Sequence, residues 1–355
     1  MQDVDLHLAP NEASDLCPVF GPQILERHGW DRAFVTVLDE AHVARAIAVI
    51  SHARGADEDT GWTATRTKAK PSAKIKTEDA EACARWNGAV YVLGSQFGKK
   101  EGPLEAKRSF IGRVSEEELH RALHGKSAKM DLVALKFALH RAVNDALTEA
   151  QVELLPLGPT TRAAYIDETM FRGARKGKSW SGRVVASDQP INVEGAEFRA
   201  NGRMLLGLRY PVTAAGQPIL VELEDPDALF DGSGSIPRCS NVWVLQTGSG
   251  AAPVGVRALG GDAPDAFHAI VGNLDSAGKG AAVLEDHAEG AVARSTHVRF
   301  ELPALAAGGD VAVEPVHEFD DVRRVEGVAI TPDGRVHYVI DREGSVDLRT
   351  LATGA

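Results

Sequence analysis

Three glutamates stand at the head of the same short unit in this sequence. Glu81 leads through Asn87-Gly88 to Val90-Tyr91-Val92-Leu93-Gly94-Ser95, and Glu194 through Asn201-Gly202 to Met204-Leu205-Leu206-Gly207-Leu208-Arg209. Glu326 leads through Asp333-Gly334 to Val336-His337-Tyr338-Val339-Ile340-Asp341. Carboxylates that recur in register suit three kinds of work. They can hold a hard divalent cation, Ca2+ or Mg2+, through oxygen ligands. They can exchange protons with a substrate. They can also join neighbouring units by accepting turn amides or pairing with arginine. Asp79 and Asn192, each two residues before a glutamate, would point to the same side of an extended segment and could add oxygen ligands. Arg209 could neutralise a glutamate or grip an anionic substrate group through two parallel hydrogen bonds. Ser95 and Asp341 hold places equivalent to Arg209 and read as turn residues. Three close carboxylates repel one another unless a cation, an arginine or a shared proton compensates.

Hairpins must position these residues. Asn-Gly and Asp-Gly are preferred two-residue turns because both central positions take positive φ. The turn glycine precedes the polar residue by seven positions in all three copies. Units recurring at long intervals indicate a repeat architecture, in which blades around one axis bring distant equivalent residues together. The glutamates lie 113 and 132 residues apart. At about 40–50 residues per blade, each gap has room for two to three blades. The expected fold is mostly β, a β-propeller of about six blades forming one domain over residues 1–355. A β-sandwich with a helical appendage is the alternative, but it gives no reason for the unit to recur.

The pattern changes over residues 115–151, which read as a helical insertion. Ser115 and Glu118 have capping-box spacing, Leu119 and Leu123 share a face, and Gly125 would end that helix. Leu132, Leu135, Leu139, Val143 and Leu147 then form a stripe at three- and four-residue steps. Further strands are expected at 33–40, ending in Asp39 and Glu40, and at 184–186, 219–223, 241–246, 267–271, 280–284, 297–302, 311–316 and 345–348. Residues 1–30 read as an entry segment. Residues 53–77, with Arg66, Lys68, Lys70, Lys74 and Lys76, read as a polar loop or an exposed outer strand. His120 and His124 can share a helical face but lack the HExxH surroundings of a zinc protease, and read as a solvated pair. Arg172, Arg175, Lys176 and Lys178 beside Trp180 read as a solvated basic loop.

The formal charge is −11, and residues 1–180 contribute none of it, with 25 basic against 25 acidic side chains. Nucleic acid is not an expected partner. The apolar stretches fall short of the roughly 20 residues of a membrane span, so no membrane association is expected. The first residues lack the pattern of a signal peptide. Cys17, Cys83 and Cys239 show no CxxC spacing, which fits a reducing compartment, and the cytoplasm is the expected location. No P-loop or dinucleotide fingerprint is present, and no nucleotide cofactor is expected.

Several segments carry a resemblance. They are Glu194-Gly195-Ala196, Leu206-Gly207-Leu208-Arg209-Tyr210-Pro211-Val212 and Ile219-Leu220-Val221-Glu222-Leu223, with Asp79-Ala80-Glu81-Ala82 and Val325-Glu326-Gly327-Val328-Ala329. Together they resemble a bacterial β-propeller family catalogued as a domain of unknown function. More distantly, the copies are similar to phytase-like esterases and to the gluconolactonase and strictosidine-synthase group. That likeness implies acids and amides of the inner strands converging on a divalent metal in a central channel. It would make Glu81, Glu194, Glu326, Asp79 and Asn192 ligands, with a carboxylate or bound water as base. The implied activity is hydrolysis of an ester, lactone or phosphoester bond in a small anionic or ester substrate, oriented by Arg209. Two features depart from the pattern: Glu81-Ala82 replaces Glu-Gly, and the helical insertion is not an ordinary propeller element. The alternative function is a non-catalytic module that holds a protein partner through its rim and helical insertion.

Overall fold

The computed structural model describes residues 3–10, 12–39, 41–248, 252–275 and 280–351. Glu40 lies outside them. Short apolar runs punctuated by turns form five four-stranded antiparallel meanders. The first blade is Ala13–Pro18, Trp30–Leu38, Ile47–Ala53 and Trp62–Arg66. The second is Ala80–Trp86, Ala89–Gly94, Phe110–Ser115 and Ala128–Ala134, with Ala69–Pro71 added in parallel at its outer edge. The third is Asn192–Phe198, Met204–Tyr210, Ile219–Leu223 and Cys239–Gln246. The fourth is Gly255–Ala263, Ala266–Gly272, Thr296–Glu301 and Gly309–Glu318. The fifth is Val325–Ile330, Val336–Arg342 and Ser345–Leu351, completed by Asp3–Asp5.

The leading strand of each blade packs against the leading strands of its two neighbours, and the last packs on the first, closing a ring. This is a β-propeller. It has five meanders among the described residues where the glutamate spacing suggested about six blades. Blades two and three are adjacent, so the interval between Glu81 and Glu194 contains one blade and a long helical excursion. The later interval holds two blades lengthened by loops.

Both faces of each blade are covered, so its strands read as continuous apolar runs rather than alternating ones. All five residues of Ile219–Leu223 are buried. Tyr91, Leu93, Val193 and Leu206 fill the seam between blades two and three, and Leu139, Val143 and Leu147 pack into the same cluster from the helix Ala138–Glu149. The glycine after two of the glutamates has a steric cause. A Cβ on Gly195 would meet Leu259 N at 2.8 Å, and one on Gly327 would meet the Leu16 Cβ at 2.9 Å. The Glu-Gly pair therefore lets neighbouring inner strands approach.

The segment 115–151 is not one helical block. Ser115 caps the helix Glu116–Leu123, accepting the Glu118 amide at 3.2 Å. Leu132 then lies in the second blade's outer strand, and the second helix begins only at Ala138. Further helical turns, Pro159–Thr161, Arg162–Asp167 and Glu168–Arg175, occupy a stretch in which the sequence showed only a basic loop. The strand expected at 184–186 is a turn, in which the Asp188 carboxylate accepts the Val185 amide at 2.9 Å. The strand expected at 280–284 is the helix Ala282–Asp286, consistent with the strong helix propensity of its alanine and leucine. No helix among the described residues is long and apolar enough to cross a membrane.

Candidate active site at the channel mouth

Near its start, each leading strand carries a β-bulge, a device that re-aims a side chain out of the ladder. The single bulged residues are Glu81, Glu194, Arg257 and Glu326 in blades two to five. In the first blade the irregularity spans Asp15 and Leu16, and Ser14 precedes it. A second tier follows from the next strand. Ser95 donates its amide to Asp79, Asp39 to Glu12, and Asp341 to Arg324, which sets these pairs in equivalent positions. Arg209 holds the same place in the third blade, and Asn273 sits one residue beyond it in the fourth. All six residues singled out from the sequence, Asp79, Glu81, Asn192, Glu194, Arg209 and Glu326, thus belong to the same end of the channel.

Their partners divide them. Glu194 accepts Arg209 Nη1 at 2.6 Å and Asn192 Nδ2 at 3.0 Å, and its second oxygen lies 3.4 Å from Arg257 Nε. Arg257 also donates to Glu326. Burial alone would weaken the Arg257 proton, but Glu194 and Glu326 hold its guanidinium firmly charged. Burial would likewise raise Glu326, and Arg257 brings it below the usual carboxylate range. Arg209 has no donor nitrogen to spare: Nε reaches Asn273 O at 3.1 Å and Nη2 reaches Asn273 Oδ1 at 3.3 Å. It neutralises a glutamate and holds a loop.

Glu81 differs. It is half-buried, accepts the Ser14 hydroxyl, and forms no ion pair among the described residues. Burial first, then Asp79, Glu194 and Asp39, push its carboxyl well above the usual range. Asp79 accepts Ser95 Oγ and lies 2.8 Å from Arg108 Nη1. Burial, only partly opposed by Arg108, raises it to about 6. Asp341 is raised to about 7 by burial and Glu12, although Arg324 stands 2.5 Å away. Glu12, Arg324 and Asp341 line a cleft of about 480 Å3 at this mouth.

The resemblance implies a hard cation here, and the donor set does not fit one. Among the described residues no three of these carboxylates bring oxygens within 4.8 Å of one another. Arg257 stands between Glu194 and Glu326 and supplies the compensating charge itself. The triad that does meet this spacing lies elsewhere, at His28, His120 and His124.

Below the mouth, Asp15 takes the joining role. Its carboxylate accepts the amides of Leu16 at 3.0 Å, Cys83 at 3.0 Å and Ala196 at 3.3 Å, linking blades one, two and three. Sequence reasoning missed Asp15, Ser14 and Arg257 because neither Ala13–Pro18 nor Gly255–Ala263 shows the glutamate-turn unit. It also missed Arg108 and Arg324, whose roles depend on contacts across the fold.

These features define a β-propeller with a mixed carboxylate and guanidinium channel mouth. No protein-family model matches the chain, and no curated protein matches it by sequence. Solved structures give distant likenesses. The GH43 endo-arabinanase of Bacillus licheniformis is 13% identical with a TM-score of 0.42, covering 99% of this chain and 96% of that one. The Trypanosoma rangeli sialidase is 10% identical with a TM-score of 0.38, covering 98% and 57%. The Neurospora crassa Pan2 WD40 domain is 9% identical with a TM-score of 0.30, covering 87% and 59%. The strand pairing and the closed ring of leading strands define the propeller.

Proposed function

We propose that this propeller is a hydrolase of small ester, lactone or phosphoester substrates, acting by acid–base chemistry at the channel mouth. The observation that carries the proposal is the separation of Glu81 from its two repeat-mates. Glu194 and Glu326 are spent on arginines, whereas Glu81 is partly accessible, has its carboxyl pushed well above the usual range and forms no ion pair among the described residues. Carboxyl groups held apart in pKa by their surroundings divide into acid and base. Glu81 is the proton donor to a leaving oxygen. Asp79, ionised above about 6, is the base that draws a proton from water. Arg324, whose Nη1 is engaged by Glu12 and Asp341, meets an anionic substrate group in the cleft.

The interaction-module reading has no comparable support. The exposed large apolar residues Phe171, Val185, Ile236, Val292, Leu305 and Val316 are scattered along the described chain, and single exposed apolar side chains are ordinary. The test is a screen of p-nitrophenyl acetate and butyrate, a δ-lactone and p-nitrophenyl phosphate, run on the native chain and on Glu81→Gln. Loss of a positioned general acid should lower turnover by about 10²–10⁴-fold. Absence of turnover on every substrate, or equal turnover by the variant, ends this reading.

A further inference from the structure

Outside the channel, three imidazoles meet between the first and second blades. His28 closes the helix Pro22–His28, where the left-handed Gly29 turns the chain into the strand Trp30–Leu38. His120 and His124 lie one turn apart at the end of the helix Glu116–Leu123. His28 Nε2 and His120 Nδ1 are 2.8 Å apart, and one nitrogen from each of the three rings lies within 4.8 Å of the others. Packing orients the rings. His28 stacks on Trp30 at 4.2 Å between centroids and on His124 at 5.3 Å, while His120 meets His124 edge-on at 4.9 Å.

We propose that His28, His120 and His124 bind a divalent transition metal of the Zn2+, Ni2+ or Cu2+ class. Imidazole nitrogen suits these ions, and the absence of any carboxylate from the group disfavours Ca2+ and Mg2+. Metal–nitrogen bonds of about 2.0–2.1 Å put tetrahedral ligand atoms about 3.3 Å apart. The His28–His120 pair is already closer than that, and the exposed His124 ring has room to swing inward. Two imidazoles four residues apart on one helix can share an ion, and His28 brings the third from another blade. Without metal, one ring N–H bridges His28 and His120. Binding moves that proton to the far nitrogen of the same ring and frees both facing lone pairs, so no oxidant or net proton is required. The fourth position opens to water beside exposed His124. An ion held here ties the helix of the second blade to that of the first and stabilises the folded chain by mass action.

The experiment titrates the EDTA-stripped full chain with Zn2+ alone, following heat of binding and Tm. The expected result is one Zn2+ per chain and a raised Tm. His124→Gln, at an exposed helix end that the core does not need, should weaken binding by about tenfold or more, since it removes one of three ligands. His28→Gln should do the same, with circular dichroism reporting the fold. His7→Gln, whose side chain is 85% exposed outside this triad, should bind as the native chain does. Absence of binding at millimolar zinc overturns the proposal. So does binding that His124→Gln leaves unchanged, or that His7→Gln abolishes equally.

Discussion

Arg257 of the fourth blade and Glu194 of the third face one another with Nε 3.4 Å from Oε2. Arg257 occupies the bulge position that glutamate fills in blades two, three and five. The repeat therefore contains its own counter-charge. One guanidinium, supported by Arg209, satisfies Glu194 and Glu326, which leaves Glu81 opposite a serine. A ring of nominally equivalent acids becomes two carboxylates paired with arginine and one without an ion pair among the described residues.

Breaking this compensation should be costly. Arg257→Met leaves two buried carboxylates without their shared partner, and removing one side of a buried ion pair costs about 3–5 kcal/mol. Urea unfolding should show that loss as a lower midpoint. Adding Glu326→Gln to the variant should recover part of it, because one uncompensated charge is then gone. A midpoint equal to that of the native chain would mean that Arg257 does not support the ring.

Stability should also depend on pH in a direction set by the raised carboxyls. Asp79 and Asp341 titrate near 6 and 7 in the folded chain, against about 3.9 unfolded. The folded state therefore binds more protons over that interval, and stability falls as pH rises through it. Asp3, lowered by Arg349 and Arg342, acts oppositely: its contribution is present above about pH 4 and lost below. His297 and His337, lowered to about 3 by burial, add stability as pH rises towards about 6.5 and oppose this trend there. Above about pH 6.5 Tm should decline, and Asp341→Asn should flatten that decline. Parallel profiles for variant and native chain would assign the decline to other groups.

The repeat revealed the propeller because its turn and glutamate reflect local rules: positive φ at the turn, and room at Gly195 and Gly327 for a neighbouring strand. The innermost strands of the first and fourth blades escaped notice for equally local reasons, although their outer strands at 33–40, 267–271, 297–302 and 311–316 were expected. The helix Pro22–His28, not a two-residue turn, joins the first blade's leading strands. The fourth blade replaces glutamate with arginine and turns through Pro264-Asp265. Two inner strands were thus invisible, and with them Ser14, Asp15 and Arg257. The helical excursion, counted as blade length, inflated the blade number. Pairing across blades, such as Arg108 with Asp79, depends on neighbours that only closure of the ring defines.

Asp15 is the tie that the sequence did not expose. Its positive φ of 53° and its three accepted amides mark a carboxylate fixed by backbone geometry rather than by a partner cation. Asp15→Ala would strand buried N–H groups, each costing about 1–3 kcal/mol. The expected loss is at least about 3 kcal/mol by chemical denaturation, since more than one amide is stranded. A loss below about 1 kcal/mol would mean that the three amides find other acceptors.

Chelation probes the channel separately from the histidine triad. The channel carboxylates do not gather as a hard-cation site, so EDTA should leave hydrolysis unchanged even if it strips zinc from His28, His120 and His124. Activity lost to EDTA and restored by Ca2+ or Mg2+, but not by Zn2+, would return the glutamates to the role of ligands.

The sharpest separation of roles comes from the same isosteric change at two repeat positions. Glu194→Gln removes a charge paired with both Arg209 and Arg257, leaving a buried guanidinium undercompensated. It should cost about 3 kcal/mol or more of stability. Glu81→Gln removes a carboxyl whose neighbours Asp79, Glu194 and Asp39 already oppose its ionisation. Its stability at neutral pH should match the native chain within about 0.5 kcal/mol or exceed it, while hydrolysis falls by orders of magnitude. Urea midpoints and turnover, measured on both variants in one buffer, decide the matter. Equal destabilisation would make all three glutamates structural. Loss of turnover in Glu194→Gln alone, with its fold intact, would move the catalytic role to the third blade.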